Sequence, residues 1–172
     1  LADVHQTRPD WNLLDPLRKS IRFLWNFAHP DGSFGGLYGS RCTRFYYPAG
    51  LLALATEIPE AASLAQFMSQ SIAQNHVITL SAMDEPNLIP MFNAYCWAAS
   101  LETDTPEDRN SPTLPALESV LMRKQYKKAG LLIDRGQHHY TIIATSKGGV
   151  VYHFDNGELS VLDAGVVVRN SR

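Results

Sequence analysis

The chain has 172 residues, of which 45% are hydrophobic and 19% charged, and its formal net charge is −2. This composition is typical of a folded domain with a buried core and excludes a disordered chain. The slightly negative charge argues against a nucleic-acid surface built on phosphate contacts, and no apolar stretch approaches the length of a membrane span. We therefore expect neither a nucleic acid nor a membrane as partner.

Helical patterns fill the first part of the chain. Asp15 is a good N-cap residue, and Pro16 occupies the first helical position that follows it. Apolar residues then recur at helical spacing in four segments. The predicted elements are an irregular arm at 1–13 and helices over 15–29, 46–58, 59–75 and 87–101. The polar stretch 102–112 contains two prolines and is the best candidate for a domain boundary.

The apolar period changes to two after Gly130, which indicates β-strands. Tyr140, Ile142 and Ala144 share one predicted face, and the sequence Asp-Asn-Gly at 155–157 predicts a hairpin turn. Residues 114–126 are ambiguous between helix and strand, and a last strand is expected at 166–168. A helical block followed by an antiparallel one is an α+β layout. We predict a helical domain at 1–112 and an antiparallel β domain at 113–172 that is cut short.

The segment 31–47 combines glycines, tyrosines and Arg41. Aromatic faces can stack on sugar rings, and an arginine can pair with a carboxylate or sulfate in a forked geometry. The segment therefore indicates a sugar site. The alternative is a turn between helices whose aromatic residues pack the bundle. A phosphate-binding loop is not expected, because no Lys-Ser or Lys-Thr follows the glycines.

Histidines occur at the predicted end of a helix and on the predicted strands. His76 follows Asn75, His138 and His139 open one strand, and His153 lies on the next. β-Elimination on a uronate needs a group that neutralises the carboxylate, a base for the C5 proton and an acid for the leaving oxygen, and His, Asn, Arg and Tyr can fill these roles. Structural histidines are the alternative. The spacing of ligands fits no metal site, and we expect neither a metal nor another cofactor.

The two cysteines, Cys42 and Cys96, define no disulfide framework, and we expect two free buried thiols, with a single bridge as the alternative. Cys96 lies in the sequence Cys-Trp-Ala, which resembles the nucleophile segment of papain-like cysteine peptidases, with a histidine before a strand downstream. However, Cys96 falls inside a predicted helix, whereas such a nucleophile should open one. A small buried core residue is the alternative.

Several segments resemble heparinase II/III-like polysaccharide lyases, which join a helical α/α toroid to an antiparallel β-sandwich. Four segments of this chain resemble the start of the β domain in these lyases: AGLLI (129–133), YTII (140–143), SKGGV (146–150) and FD (154–155). The Asp-Gly segment between toroid helices is similar to DGSF (31–34). The resemblance implies a toroid-like helical part, and it implies that the chain is a fragment or an inactive relative of a longer lyase.

The resemblance also implies eliminative cleavage of an acidic poly- or oligosaccharide. A tyrosine that serves as acid or base in the family could correspond to Tyr38, Tyr46 or Tyr47. The implied catalytic residues are Tyr46, Tyr47, His138 and His139, and the implied substrate-binding residues are Tyr38, Arg41, Asn75 and His76. Two other functions remain open: a non-catalytic glycan-binding or assembly module on the same scaffold, and a small cysteine peptidase that uses Cys96 and His138.

Overall fold

The computed structural model describes residues 1–39, 42, 44–101 and 112–166. Within these ranges, five α-helices precede a five-stranded antiparallel sheet, which confirms the α+β class and the order of its two parts. No helix in the same ranges is long and apolar enough to cross a bilayer. Residues 102–111, which contain most of the predicted boundary, lie outside the described part. The division at 112 stays a prediction.

The first two helices are α1 (Ala2–Thr7) and α2 (Leu14–Leu24). The arm predicted at 1–13 to be irregular is therefore partly helical, and a 3₁₀ turn, Pro9–Trp11, follows α1. α2 ends earlier than predicted and continues as a 3₁₀ turn, Trp25–Phe27. The apolar residues at helical spacing in this segment predict one buried face, and the prediction is largely confirmed, because Leu17, Ile21, Trp25 and Ala28 are buried. Leu24 is an exception and is partly exposed.

The helix predicted at 46–58 is much shorter in the structure. α3 covers only Ala49–Leu52. A proline is best tolerated near the start of a helix, and Pro48 is the N-cap residue of α3. Tight turns follow, in which the N–H groups of Leu54 and Ala55 bond to the carbonyls three residues earlier. This short segment, bounded by Pro48 and Pro59, buries most of its alanine, leucine and isoleucine side chains without a continuous helix, so tertiary packing overrides the helical pattern.

The next two helices agree with the prediction in position. α4 spans Pro59–Ala73 with Pro59 at its first position, and α5 spans Glu85–Leu101. The helical spacing of Leu88, Phe92, Tyr95 and Ala99 predicts that they share the buried face of α5. This prediction is wrong, because Leu88 and Phe92 are exposed whereas Met91 is buried. Apolar residues occur on every side of this helix, so their spacing cannot identify the buried side.

The sheet is a meander in which every strand pairs with its neighbours in sequence. The strands are β1 (Met122–Tyr126), β2 (Leu131–Arg135), β3 (His139–Ala144), β4 (Val150–Asp155) and β5 (Glu158–Asp163). They lie in the order β1-β2-β3-β4-β5. The ambiguous segment 114–126 thus contains a strand. The predicted hairpin is confirmed, with positive φ angles at Asn156 (49°) and Gly157 (91°). Val166 lies outside any strand, and the rest of the strand predicted at 166–168 falls on residues that are not described.

Two apolar clusters form the core. One lies among the helices and includes Ile21, Ile58, Leu64 and Met68. The other lies on the inner face of the sheet, where the predicted Tyr140, Ile142 and Ala144 are buried together with Phe154. Phe34 packs against both clusters. The loop after α2 therefore lies at the seam between helices and sheet. Separately, the Arg135 side chain on β2 donates hydrogen bonds to the carbonyls of Pro115 and Ala116, in the segment before β1.

Both cysteines are free, but the expectation that they are buried is wrong, because Cys42 and Cys96 are exposed. Cys96 lies on the outward side of α5, on the helix whose buried face the sequence failed to predict. Its side chain is therefore not a core element.

Candidate functional site

The loop that follows α2 folds back on itself. Ala28 and Phe34 form an isolated antiparallel bridge, and the His29 N–H donates to the Ser33 carbonyl at 2.9 Å. Inside this turn, the Asp31 carboxylate accepts from the Ser33 N–H at 2.9 Å. The turn therefore holds three polar side chains, those of His29, Asp31 and Ser33, within five residues of sequence.

These side chains form one hydrogen-bonded chain that ends at a tyrosine. The Ser33 hydroxyl donates to Asp31 Oδ1 at 2.6 Å, and Ser33 Oγ lies 2.7 Å from His29 Nδ1. The other ring nitrogen, Nε2, lies 2.6 Å from the Tyr38 hydroxyl. Because the Ser33 proton is committed to the carboxylate, Nδ1–H must donate to Ser33 Oγ, and Nε2 must accept from the Tyr38 O–H. His29 is thus neutral and is positioned as a proton acceptor for the phenol.

Burial reinforces this protonation state. Removal of the His29 ring from solvent lowers its pKa to about 4, against an opposing effect of Asp31, and the charge of Arg44 lowers it further. Burial also raises the pKa of Tyr38 well above its usual value. At neutral pH, the structure therefore contains a neutral imidazole that accepts a hydrogen bond from a protonated phenol, and burial opposes transfer of the proton from Tyr38 to His29.

Side chains of the sheet also contact the chain that follows α2. The Tyr152 hydroxyl on β4 accepts from the Leu37 N–H at 3.0 Å, and the Tyr140 hydroxyl on β3 donates to the Asn26 carbonyl at 2.8 Å. The His29 ring also packs against Phe154, with 4.8 Å between ring centroids. These contacts join residues that are more than 100 positions apart in sequence. They hold the hydrogen-bonded chain in position against the neighbouring strands β3 and β4.

Close approach of Tyr152 requires a glycine at position 36. Gly36 has φ of +146°, and a Cβ built there would overlap the Tyr152 hydroxyl. We expect Gly36→Ala to lower the free energy of unfolding by at least about 1–3 kcal/mol, because it adds both a clash and an unfavourable backbone angle. Urea unfolding followed by circular dichroism measures the change.

Gly50→Ala is the matched control for this substitution. Gly50 lies in α3, and a Cβ there would have no heavy atom within 4 Å. We expect this variant to be neutral or slightly more stable, because alanine favours helix more than glycine does. Equal destabilisation by the two substitutions would contradict the close approach of Tyr152 to Gly36.

The surface side of the turn contains two of the predicted substrate-binding residues. A Cβ at Gly32 would overlap the ring of His76, so His76 lies directly against the Asp-Gly turn. Its neighbour Asn75 follows the end of α4 with φ of 59°, and both side chains are exposed. Arg41, the remaining predicted substrate-binding arginine, lies outside the described residues. The structure thus brings Asn75 and His76 to the loop that carries Tyr38.

Tyr38, Tyr46 and Tyr47, the three tyrosines predicted as site residues, do not lie together at one site. Tyr38 is only 6% exposed and lies in the seam, whereas Tyr46 is buried among the helices. Tyr47 is 43% exposed. Tyr46 and Tyr47 instead line a pocket of about 200 Å³ with Ile21, Leu24 and Leu54. The Tyr46 hydroxyl is buried and has no hydrogen-bond partner among the described residues, and burial raises its pKa. The catalytic role of Tyr46 and Tyr47 stays a prediction.

The predicted catalytic histidines lie at the start of β3. His138 is exposed before the strand, and His139 lies on the outer face of the sheet, with Nε2 3.0 Å from Asp134 Oδ2. Arg123 donates to the same carboxylate at 2.7 Å, and these two hydrogen bonds, from Arg123 and from His139, lower the pKa of Asp134. His153 stacks on His139 at 5.7 Å between centroids. His139 is therefore on the sheet face opposite to Tyr38.

His29, Ser33 and Asp134 take part in these hydrogen bonds but were not predicted as site residues from the sequence. The signal for His29 was its place in His-Pro-Asp-Gly-Ser, a turn with three hydrogen-bonding side chains in five residues. The signal for Asp134 was weaker, because its pairing with His139 depends on the register of β2 against β3.

Cys96 lies in the C-terminal half of α5. The nucleophile of a papain-like peptidase needs the helix N-terminus to stabilise its thiolate, and Cys96 has no such position. In the described ranges, it makes no hydrogen bond to a histidine. The geometry therefore does not support the peptidase hypothesis.

Among the described residues, no group of three or more His, Cys, Asp or Glu side chains is arranged to hold a metal ion. Comparison of the chain with family models, with curated proteins and with solved structures finds no match to any of them. The function of this chain is therefore inferred from the geometry of the loop.

Proposed function

We propose that this chain is a carbohydrate-active protein of the polysaccharide lyase type, which acts on an acidic polysaccharide at the loop between α2 and α3. The observation that carries the proposal is the hydrogen-bonded chain from Tyr38 through His29 and Ser33 to Asp31. A toroid-like arrangement of the helices and a longer β-sandwich are part of the same proposal.

The groups at the loop supply the chemistry that β-elimination requires. When the loop opens to the polymer, solvent reaches His29 and Tyr38 and weakens the effect of burial on both pKa values. His29 then accepts the Tyr38 proton as the phenol oxygen takes the C5 proton of the uronate, and the C4–O bond breaks as the C4–C5 double bond forms. The leaving oxygen receives a proton from the same phenol. Asn75 and His76 bind the uronate carboxylate, which stabilises the negative charge that develops beside it. Because Tyr38 is buried, the loop must open toward the polymer for this step.

Activity is tested by incubating the chain with alginate, polygalacturonate, hyaluronan and heparan sulfate, and measuring the ultraviolet absorbance of new unsaturated ends. We expect Tyr38→Phe to lower kcat by about 100-fold or more, because it removes the acid–base group. Tyr46→Phe and Tyr47→Phe test the alternative tyrosines. Loss of activity in either of these variants, with Tyr38→Phe unaffected, would move the site to the pocket among the helices.

Tyr140→Phe is the matched control. It also removes a buried hydroxyl from the seam, but this hydroxyl bonds to the Asn26 carbonyl and not to His29. We expect activity to persist in this variant. Equal loss of activity in Tyr38→Phe and Tyr140→Phe would show that the hydroxyls matter for folding and not for catalysis.

The burial of Tyr38 favours a second candidate, a glycan-binding module that does not cut. In that case the hydrogen-bonded chain only fastens the loop to the sheet, and binding uses exposed groups such as Asn75 and His76. Affinity electrophoresis in gels that contain each polymer would show retarded migration, without any ultraviolet product. Neither retardation nor product with any of the four polymers would overturn both candidates.

A further inference from the structure

The two edges of the sheet carry opposite charge. β1 contains Arg123 and Lys124, and Lys127 and Lys128 follow it directly, all four with exposed side chains. β5 begins with Glu158, ends with Asp163 and contains no basic residue. The strand order places β1 at one edge and β5 at the other. The sheet thus has a basic edge and an acidic edge.

The acidic edge also exposes apolar side chains. Leu159, Val161 and Leu162 are 42%, 47% and 50% exposed. Of the elements that the structure describes, only β4 makes extensive contact with β5, and only β2 with β1. An edge strand presents a row of backbone donors and acceptors that can pair with another strand. β5 lacks the lysine or proline that commonly blocks such pairing.

We propose that β5 of one copy of this chain pairs with β1 of a second copy. This pairing brings Glu158 and Asp163 beside Lys124 and its neighbouring lysines, and it covers the apolar side chains of β5. Charge also disfavours the two symmetric alternatives. Antiparallel pairing of β5 with β5 in register places Glu158 opposite Asp163 twice, and pairing of β1 with β1 brings the lysines together.

The contact joins two different surfaces, so a pair of copies keeps one free acidic edge and one free basic edge for further partners. One strand pair buries little area, and the association is therefore weak and dependent on concentration. Because opposite charges at exposed positions contribute to it, salt weakens it.

Sedimentation velocity of the full chain at increasing concentration tests the proposal. We expect the weight-average mass to rise with concentration in low salt and to fall again when salt is added. Glu158→Lys with Asp163→Lys makes the β5 edge basic, and Lys124→Glu with Lys128→Glu makes the β1 edge acidic. Arg123 stays unchanged, because it pairs with Asp134 within the sheet.

Each double variant alone should stay a single chain, with at least a tenfold weaker self-association. The mixture of the two should associate again, because each altered edge then meets an edge of opposite charge. Asp163 also accepts a hydrogen bond from the Gly165 N–H. A second β5 variant, Glu158→Lys with Val161→Lys, leaves that turn intact and should behave in the same way.

Two results would overturn the proposal. The first is a wild-type mass of one chain at every concentration. The second is self-association of the Lys124→Glu, Lys128→Glu variant at the wild-type level, which would show that copies associate without β1. Far-ultraviolet circular dichroism of each variant confirms that the sheet is intact before the masses are compared.

Discussion

Acidification from about pH 7 to about pH 4 is expected to destabilise the native state by about 3 kcal/mol through His29 alone. The imidazole is buried and neutral, and its pKa is lowered to about 4, mainly because burial disfavours the charged ring. In the unfolded chain the same ring titrates at about 6.5. The unfolded state therefore takes up the proton first, and stability is lost as the pH falls from about 6.5 towards the folded pKa.

The measurement is urea unfolding of the wild type and of His29→Gln at several pH values in this range. Glutamine cannot titrate, so the variant should have a lower stability at neutral pH but a flatter dependence on pH. The difference between the two curves isolates His29 from the other acidic groups. Parallel curves for the two proteins would show that His29 is accessible to protons in the native state.

Phe154→Ala is expected to lower the free energy of unfolding by about 3–5 kcal/mol. Phe154 is fully buried on the inner face of β4 and packs against His29 across the seam. Truncation leaves a cavity between the loop and the sheet, and neither the backbone of β4 nor the hydrogen-bonded loop can collapse fully into it. Chemical unfolding at neutral pH gives the value.

Val161→Ala is the control for Phe154→Ala, because it shortens an apolar side chain on the neighbouring strand, where the side chain is half exposed. We expect a change within about 0.5 kcal/mol, measured at low protein concentration so that association does not contribute. A loss as large as that of Phe154→Ala would mean that β5 is covered in solution.

The strands after Gly130 were predictable because their signals are local. A period of two identified β3, and Asn156-Gly157 identified the turn between β4 and β5. β1 was not predictable in this way, because residues 114–126 carry no clear period. The helices were less predictable where apolar residues are dense. The segment around α3 has a helical pattern but buries its residues through tight turns, and α5 is apolar on all sides.

The candidate site was predictable only in part. The glycine and tyrosine content of the loop indicated a binding site there, and the predicted His76 lies against the loop, with Asn75 next to it in sequence. The sequence placed Tyr38, Tyr46 and Tyr47 together because they are close along the chain. The structure separates them, because the chain turns between the sheet and the helices, and Tyr38 bonds to His29 while Tyr46 enters the helical core. Contacts such as that of Tyr152 with Leu37 depend on the tertiary fold and leave no local signal.

The meander has a consequence for the order of events in folding. Each of its strands pairs with a neighbour in sequence, so the sheet forms by closing short loops, which costs little chain entropy and proceeds rapidly. The bonds from Tyr140 and Tyr152 to the loop after α2 each join residues more than 100 positions apart. We therefore expect these bonds to form after the sheet, and the loop with His29 and Tyr38 to assemble late.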